Sequence, residues 1–499
     1  MCAAALLPVS DPIETFLEQD QTNSLLRFIT CGSVDDGKST LIGRLLYDSQ
    51  SVFEDQLESV TRASAGRHAG PIDFSLLTDG LRAEREQGIT IDVAYRYFAT
   101  PRRKFIIADT PGHEQYTRNM ATGASTAELA VVLVDSRKGL LPQSKRHSFV
   151  ASLLGIRHLV IAVNKMDIVG YSRAVFANIE TQFRDFLSRF EKIETYFIPV
   201  SALAGDNVVL PSRNMPWFDG PPLLEYLEEV DVESECAEEP FRFPVQRVVR
   251  AGDGFRGYAG TVSSGSISAG TPVTAMPSGR TTTIERIATF DGDLNEASAG
   301  QAITLTLSDE LDIARGDLFA PVNALPDLAH SLRATLIWMH ADPGEAGKRY
   351  RLKHATQQVW ASISEIHHAI NIHTLQPETA TRLEMNSISV VGIETSRALW
   401  FDSYQRNRAT GSFILIDPAT NATVAGGLIE GPGSHTRQTK ESLLRDVNWA
   451  VKNGSLVISV PGLAHETDLS ALDYRDALEA LENLLNLLDV QVSNEQRDD

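Results

Sequence analysis

Short apolar runs alternate with amphipathic stretches between residue 25 and about residue 227. Five runs have the length and composition of buried strands: Leu25–Cys31, Phe105–Ala108, Ala130–Val134, Leu159–Val163 and Tyr196–Val200. Each is followed by a turn and then by apolar residues at helical spacing. Repeated strand–helix units predict a mostly parallel sheet with helices on both faces. A further strand-like run, Ile91–Phe98, follows a loop and predicts an antiparallel strand at the edge of the sheet.

The pattern changes after an acidic stretch, residues 228–240, which holds seven acidic and no basic side chains. Beyond it the chain is rich in Val, Thr, Ile and Gly, with turn signals such as Ser264-Gly265 and Asp291-Gly292-Asp293. The same pattern continues from residue 331 to about residue 435, with apolar runs at Leu332–Met339, Gln357–Ile363, Ser387–Ile393 and Ser412–Ile416. Short strands at this spacing predict two small antiparallel β-barrels.

These patterns predict a multi-domain chain in five segments. They are an N-terminal arm (1–23), an α/β domain (24–239), a first barrel (240–330), a second barrel (331–435) and a partly helical C-terminal extension (436–499). The extension ends in an amphipathic helix pattern formed by Tyr474, Leu478, Leu481, Leu485 and Leu488. This helix either packs on the body of the protein or binds a partner.

Composition narrows the function classes. The 499 residues are 42% hydrophobic and 22% charged, which excludes disorder as the main state. A net charge of −20 disfavours a chiefly electrostatic binder of nucleic acid or of anionic membranes, although a local basic patch stays open. Cys2, Cys31 and Cys236 have no metal-binding or disulfide spacing, and the apolar runs are too short for a bilayer. We expect a cytoplasmic protein with reduced thiols and no secretory signal.

A glycine-rich loop stands between the first strand and the first helix. Its sequence fits GxxxxGK[ST], and the predicted phosphate-binding residues are Gly32, Ser33, Val34, Asp35, Asp36, Gly37, Lys38, Ser39 and Thr40. Backbone N–H groups of such a loop point at phosphate oxygens, and the helix N-terminus adds its positive end. Lys38 would reach the β- and γ-phosphates, and the Ser39 hydroxyl suits Mg²⁺. The alternative is an ordinary glycine-rich turn with a surface lysine.

Two further segments complete the predicted phosphate site. Asp109-Thr110-Pro111-Gly112-His113 directly follows a strand, so Asp109 could hold Mg²⁺ through water and the Gly112 N–H could contact the γ-phosphate. Gly88-Ile89-Thr90-Ile91 follows a polar run, and Thr90 could bring its hydroxyl to Mg²⁺ and its N–H to the γ-phosphate. The alternatives are a plain turn and a threonine at the start of a strand.

The segment Asn164-Lys165-Met166-Asp167, at the end of another strand, predicts which nucleotide base is bound. The Asp167 carboxylate can accept hydrogen bonds from guanine N1–H and the 2-amino group, which adenine does not offer. Asn164 would bond the base and brace the loop, and the Lys165 stem would cover the ring. The backbone that would approach guanine O6 is supplied by Ser201, Ala202 and Leu203. Four such elements at strand ends predict a Mg²⁺-dependent domain that binds and hydrolyses GTP.

The motifs resemble those of translation-factor GTPases such as elongation factor Tu, in which a GTP-binding domain precedes two barrels. His113 matches the histidine that positions the attacking water in that class, although a loop histidine without this role is the alternative. Four longer segments resemble the large, GTPase subunit family of bacterial sulfate adenylyltransferase: residues 79–98, 109–125, 214–217 and 407–417. The resemblance covers about residues 24 to 427.

The resemblance implies a reaction. ATP and sulfate give adenosine 5′-phosphosulfate and pyrophosphate, and GTP hydrolysis on this subunit drives that uphill step. His113, Lys38 and Thr90 would carry the hydrolysis. Adenylyl transfer would occur on a smaller partner of the ATP-pyrophosphatase type, and this chain has no Ser-Gly-Gly-x-Asp-Ser loop of its own. No second GxxxxGK[ST] follows residue 428, so no fused kinase is expected.

Two other functions stay open. A translational GTPase that delivers aminoacyl-tRNA would use the same domains, but the barrels show no evident row of Lys and Arg in sequence, and no nucleic acid is expected. A non-catalytic assembly subunit would bind nucleotide without turnover. The retention of Lys38, Thr90, Asp109 and His113 argues against it.

Overall fold

The computed structural model describes residues 24–49, 74, 92–112, 117–190, 193–232, 239–250, 255–371, 374–433, 448–452, 455–459 and 467–468. The chain divides into two compact units, residues 1–433 and 434–499. Thr90, His113, the N-terminal arm and the predicted helix at Tyr474–Leu488 lie outside the described residues.

The first domain is built on a six-stranded sheet. Its strands are β1 (Leu25–Cys31), β2 (Ala94–Ala99), β3 (Lys104–Asp109), β4 (Leu129–Asp135), β5 (His158–Asn164) and β6 (Glu194–Pro199). The order is β2-β3-β1-β4-β5-β6. All neighbours are parallel except β2, which pairs antiparallel with β3 at the edge. The predicted parallel sheet and its antiparallel edge strand are confirmed.

Helices cover the two faces of this sheet. The described helices are α1 (Lys38–Asp48), α2 (Thr117–Ala124), α3 (Pro142–Leu153), α4 (Arg173–Leu187) and α5 (Leu223–Glu229). Every residue of β4 is buried, and its side chains alternate between two apolar clusters. Val132 and Val134 pack into one cluster, and Val131 and Leu133 into the other. Burial on both faces explains why the strands are continuous apolar runs.

Two closed antiparallel barrels follow. The first contains β7 (Phe243–Arg250), β8 (Arg256–Thr261), β9 (Ser266–Ser268), β10 (Pro272–Met276), β11 (Arg280–Thr289), β12 (Gly292–Leu294), β13 (Glu296–Ser298), β14 (Ala302–Leu307) and β15 (Leu318–Pro321). The second contains β16 (Asp327–Trp338), β17 (Arg349–His354), β18 (Gln357–Ile370), β19 (Pro377–Glu378), β20 (Ile388–Phe401), β21 (Ser412–Ile416) and β22 (Thr423–Pro432). Pairing of β10 with β11, and of β17 with β18, closes a six-stranded ring in each barrel. Strands β12 and β19 extend these rings at one edge, and β9 and β13 form a separate two-stranded sheet. The predicted α/β domain and two antiparallel barrels are confirmed.

A buried ion pair joins the two barrels. Arg242, next to β7, donates to both carboxylate oxygens of Asp402, just after β20, at 2.8 and 2.9 Å. The two side chains are 0% and 2% exposed. Arg242 also donates to the Ala324 carbonyl at 2.8 Å. Nearby, the Trp400 indole donates to the Gly316 carbonyl at 2.8 Å. The planar guanidinium thus satisfies its buried partner in the bidentate geometry that favours such pairs.

The second unit contains a three-stranded antiparallel sheet, formed by β23 (Asn448–Lys452), β24 (Ser455–Ser459) and β25 (Thr467–Asp468). The helical part predicted for this extension lies outside the described residues. No helix in the described parts of the chain is long and apolar enough to cross a bilayer.

Candidate nucleotide-binding site

The glycine-rich loop leaves β1 at Cys31 and enters α1 at Lys38. Asp35 and Gly37 have positive φ angles of 69° and 92°. A Cβ on Gly37 would lie 2.5 Å from Asn164 Nδ2, so a side chain has no room there. The Ser33 N–H donates to Asp36 Oδ2 at 2.7 Å, which ties the two ends of the turn together. Ser39 and Thr40 fall in the first turn of α1. The loop therefore forms a compact cradle at the start of α1.

Lys38 is buried against its own loop. Its ammonium donates to the carbonyls of Gly32 at 3.0 Å and Ser33 at 3.1 Å. Burial lowers the pKa of Lys38, while the negative charges of Asp109 and Asp36 oppose that shift. Because an ammonium has three donors, one N–H stays available to a phosphate oxygen. Two fixed carbonyl contacts thus aim this positive charge.

The carboxylate of Asp109 lies beside the loop because β3 pairs with β1 in a register that puts Thr30 opposite Asp109. The Thr30 hydroxyl donates to Asp109 Oδ1 at 3.2 Å, and the Thr110 hydroxyl donates to the Thr30 carbonyl at 2.8 Å. The carboxylate is buried and oriented. Together with the Ser39 hydroxyl, it offers the hard oxygen donors that Mg²⁺ prefers. No cluster of three or more metal-ligating side chains occurs among the residues described.

Gly112 closes over the same cradle. A Cβ built on it would lie 2.5 Å from Lys38 Nζ and 2.6 Å from the Gly32 carbonyl oxygen. The Gly112 carbonyl accepts a hydrogen bond from Gln143 Nε2 at 2.8 Å. Gln143 lies in the first turn of α3, after Pro142 at the helix start. Sequence analysis missed Gln143, and the signal was present: Pro142-Gln143 opens a helix just beyond the polar end of β4.

A buried histidine supports Gln143 from the next turn of α3. His147 Nε2 lies 3.4 Å from Gln143 Nε2, and Arg146 donates to Gln143 Oε1 at 3.2 Å. Burial, with the positive charges of Lys38 and Arg146, lowers the pKa of His147 to about 3. His147 is therefore neutral at physiological pH and can accept a hydrogen bond from Gln143. These contacts fix the side chain that holds the Gly112 carbonyl.

Asn164 joins the three loops of the site. Its Nδ2 donates to the Asp36 carbonyl at 2.8 Å. Its Oδ1 accepts from the Lys165 N–H at 2.8 Å and the Ala202 N–H at 2.9 Å. The side chain is buried, so these polar groups depend on each other for hydrogen bonds that water cannot supply. Asn164 therefore braces the phosphate loop, as the sequence predicts.

Replacing Asn164 with alanine is expected to destabilise the first domain. The change leaves the buried backbone groups of Asp36 and Ala202, and the partly buried N–H of Lys165, without their partner. One unsatisfied buried group costs about 1–3 kcal/mol. We expect a loss of about 2–4 kcal/mol, visible as a lower thermal midpoint. The exposed Asn178→Ala variant in α4 of the same domain is the control. An unchanged midpoint would remove Asn164 from this bracing role.

Asp167 is positioned by Ser201, whose hydroxyl donates to Asp167 Oδ1 at 2.7 Å. The Ser201 N–H donates to the Asp206 carbonyl at 3.2 Å, and the Ala202 N–H is engaged by Asn164. A guanine O6 bound at this loop would therefore meet the Leu203 N–H, or Ala202 would have to exchange its partner. The Leu203 side chain is 64% exposed and can border an incoming base.

A carboxylate that sequence analysis missed lies beside Lys165 and close to the glycine-rich loop. Asp135 ends β4 and accepts from Lys165 Nζ at 3.0 Å and from Arg137 at 2.5 and 3.0 Å. Burial raises the pKa of Asp135, but the hydrogen bonds from Arg137 and Lys165 outweigh it and hold this pKa well below its usual range. Lys165 also donates to the Asp35 carbonyl. The sequence signal was the same as for Asp109, a carboxylate directly after a buried strand.

Known proteins match this chain along most of its length. Residues 23–232 match the elongation factor Tu GTP binding domain, and residues 331–430 match the GTP-eEF1A C-terminal domain-like family. Sulfate adenylyltransferase subunit 1 of Francisella tularensis subsp. novicida is 52% identical over 426 residues, which cover 85% of this chain and 90% of that protein. The protein of the same name from Shewanella oneidensis is 52% identical over 437 residues, covering 86% and 90%.

A longer relative matches the same region. The bifunctional enzyme NodQ of Rhizobium meliloti is 52% identical over 422 residues, which cover 84% of this chain and 66% of that protein. The residues that carry the predicted resemblance therefore lie inside a match that spans the first domain and both barrels. With its elongation factor Tu-type GTP-binding domain, the chain belongs to the sulfate adenylyltransferase subunit 1 family.

Proposed function

We propose that this chain is the GTP-hydrolysing subunit of a sulfate adenylyltransferase. GTP hydrolysis here would drive the formation of adenosine 5′-phosphosulfate and pyrophosphate from ATP and sulfate, the first step of sulfate assimilation. Identity of 52% over 426 residues with a sulfate adenylyltransferase subunit 1 carries the proposal. The partner would be a smaller catalytic subunit of the ATP-pyrophosphatase type, in the cytoplasm. Residues 24–239 would form the GTP-binding domain, with barrels at 240–330 and 331–435.

The geometry supports a separate role for each segment of the site in binding the nucleotide. Asp167, oriented by Ser201, would select guanine. The loop from Gly32 to Thr40 would hold the phosphates, with the Lys38 ammonium aimed by two carbonyls. The Gly112 N–H would contact the γ-phosphate while Gln143 holds the carbonyl of the same residue.

Mg²⁺ fits the donor set of this cradle. Ser39, Asp109 and Thr90 offer oxygen atoms, and the bound ion would neutralise negative charge on the β- and γ-phosphates. The structure supports this assignment through the Asp109 carboxylate, which is buried, fixed by Thr30 and placed next to the phosphate loop.

The proposed coupling is tested by sulfate-dependent release of pyrophosphate from ATP. This chain is mixed with its candidate small subunit, first with GTP and then with a non-hydrolysable GTP analogue. Stimulation that requires hydrolysis supports the proposal. Intact GTP hydrolysis without stimulation would show that this GTPase serves another reaction.

The His113→Ala variant is expected to bind GTP normally and to lose most hydrolysis. An imidazole that positions the attacking water acts in the transition state, and such positioning contributes about 10²- to 10⁴-fold in rate. Single-turnover hydrolysis of bound GTP measures the effect, and nucleotide affinity is the control. Hydrolysis at the wild-type rate would remove His113 from the catalytic residues.

One observation favours the second candidate, a carrier of aminoacyl-tRNA. The expectation that the barrels lack a basic row is wrong: Arg349, Arg351 and Lys353 alternate along β17, opposite the buried Tyr350 and Leu352. The Arg349 guanidinium lies 5.2 Å from the centre of the Trp360 ring. Such a surface can contact phosphate backbones. Retention of tRNA by the GTP-bound protein, weakening with salt, would support this second function.

A further inference from the structure

We propose that Arg408 is a positioning residue for the coupled reaction. Its side chain fastens helix α2 of the GTP-binding domain to the second barrel. The inference rests on the proposed function, since it concerns how GTP hydrolysis reaches adenylyl transfer. Arg408 belongs to the segment 407–417 that the sequence singles out, and the nucleotide site makes no use of that segment. Four sets of contacts support the assignment.

The Arg408 guanidinium caps the end of α2. It donates to the carbonyls of Ala124 and Ser125 at 3.2 Å each, and to that of Ala127 at 3.1 Å. The last carbonyls of a helix have no partners inside the helix and carry its negative end. One guanidinium from another domain thus binds three carbonyls, with a geometry that an ammonium cannot reproduce.

The loop that carries Arg408 is held by both barrels. The Asn407 side chain accepts from the N–H groups of Ala409 and Thr410 at 3.0 and 3.1 Å, and donates to Ser264 Oγ at 2.8 Å. The Thr410 hydroxyl donates to Asp402 Oδ2 at 2.7 Å. Asp402 is the carboxylate paired with Arg242. The backbone on both sides of Arg408 is therefore fixed to the junction between the barrels.

The same loop contacts α3. The Tyr404 hydroxyl donates to the Leu154 carbonyl, at the end of α3, at 2.8 Å. The Arg408 stem passes close to Gly155, where an added Cβ would lie 3.1 Å from Arg408 Cδ. Helix α3 begins at the turn that holds Gln143 and therefore Gly112. One barrel loop thus contacts the C-terminal ends of α2 and α3, and α3 begins beside Gly112.

The beginning of α2 is also held by the second barrel. The Arg118 N–H donates to Asn386 Oδ1 at 3.3 Å. Because α2 contacts the barrel near both ends, a displacement of α2 must either break these contacts or move the barrel. Packed elements shift between discrete arrangements instead of deforming smoothly. We therefore expect the Arg408 contacts to carry the displacement into the barrels.

The test compares three variants in the complex with the small subunit. Arg408→Ala removes the guanidinium, Arg408→Lys keeps the charge without the three-carbonyl geometry, and Arg406→Ala is the matched control on the same loop, where Arg406 is exposed. The measured quantity is adenosine 5′-phosphosulfate formed per GTP hydrolysed. We expect both Arg408 variants to lower this ratio by at least about 5-fold, within the usual range of coupling between sites. GTP affinity and GTP hydrolysis by the free chain are expected to stay within about 3-fold of wild type, because Arg408 touches no nucleotide-binding residue.

Wild-type coupling in both Arg408 variants would overturn the inference, and so would a parallel loss in Arg406→Ala. If Arg408→Ala does not fold, Arg408→Lys decides.

If the wild-type complex shows no stimulation by GTP, the proposed function fails, and a second measurement tests Arg408 alone. Spin labels at exposed positions Gln182 and Phe290 report the distance between the GTP-binding domain and the first barrel. The inference is supported if this distance changes between the GDP-bound and GTP-bound states of the wild type and does not change in either Arg408 variant. The same change in all three proteins, or no change in the wild type, overturns it.

Discussion

The Asp167→Asn variant is expected to prefer xanthosine triphosphate over GTP. Ser201 donates to Asp167 Oδ1 at 2.7 Å. An asparagine held in the same way keeps its oxygen at Ser201 and puts an NH₂ group where Oδ2 stands. That NH₂ repels one of the two guanine donors and donates instead to the 2-keto oxygen of xanthine. Leaving two buried groups unpaired costs about 1–3 kcal/mol each, so we expect GTP affinity to fall by about 100- to 1,000-fold.

The measurement is a pair of dissociation constants, for GTP and for xanthosine triphosphate, on wild type and variant. Asp185→Asn removes an exposed carboxylate from α4 and serves as the control for the lost negative charge. We expect this control to bind GTP like the wild type. A variant at position 167 that still prefers GTP would refute the assignment of Asp167 to the guanine edge.

The Gly112→Ala variant is expected to lose GTP hydrolysis while it keeps GDP. An added Cβ would lie 2.5 Å from Lys38 Nζ and 2.6 Å from the Gly32 carbonyl oxygen. The lysine tip can move, but the Gly32 backbone cannot yield, so the Gly112 segment must retreat from the cradle. Its N–H then leaves the γ-phosphate, which GDP lacks. Removing one donor aimed at developing charge costs about 10²- to 10³-fold in rate, and we expect that loss here.

Single-turnover hydrolysis and affinities for GDP and a non-hydrolysable GTP analogue measure the effect of this alanine. The control is Gly431→Ala in β22, where an added Cβ meets no atom of the described residues within 4 Å. Equal weakening of GDP and of the analogue would mean that the methyl group displaces Lys38 instead. That outcome would contradict the role given to the Gly112 N–H.

The sequence predicts most of the first domain and much of its site because both follow from local pattern. Buried strands of a parallel sheet are continuous apolar runs, and polar residues directly after them gather at one edge. Asp109 and Asn164 stand at such strand ends, and the structure brings them to the glycine-rich loop. Asp135 has the same placement, but it belongs to no motif, so the sequence pattern alone does not single it out.

Other contacts could not be predicted because they join segments far apart in the chain. Gln143 meets Gly112 only when α3 packs beside β4, and Arg408 meets Ala124 only when the second barrel docks. The internal use of the Ala202 N–H is likewise fixed by the geometry of Asn164. The basic row on β17 differs from these contacts because it is local: Arg349, Arg351 and Lys353 already alternate with Tyr350 and Leu352 in the sequence.

The charge pair between Arg242 and Asp402 limits how the molecule can rearrange. Separating the barrels would break both charge-assisted hydrogen bonds of this pair, each worth about 1.5–3 kcal/mol. The two barrels are therefore expected to move as one rigid body. The GTP-binding domain then controls half as many rigid-body coordinates as it would if the barrels moved independently. A covalent link engineered across the barrel junction would then be harmless to energy transfer. A covalent link between either barrel and the GTP-binding domain would block that energy transfer.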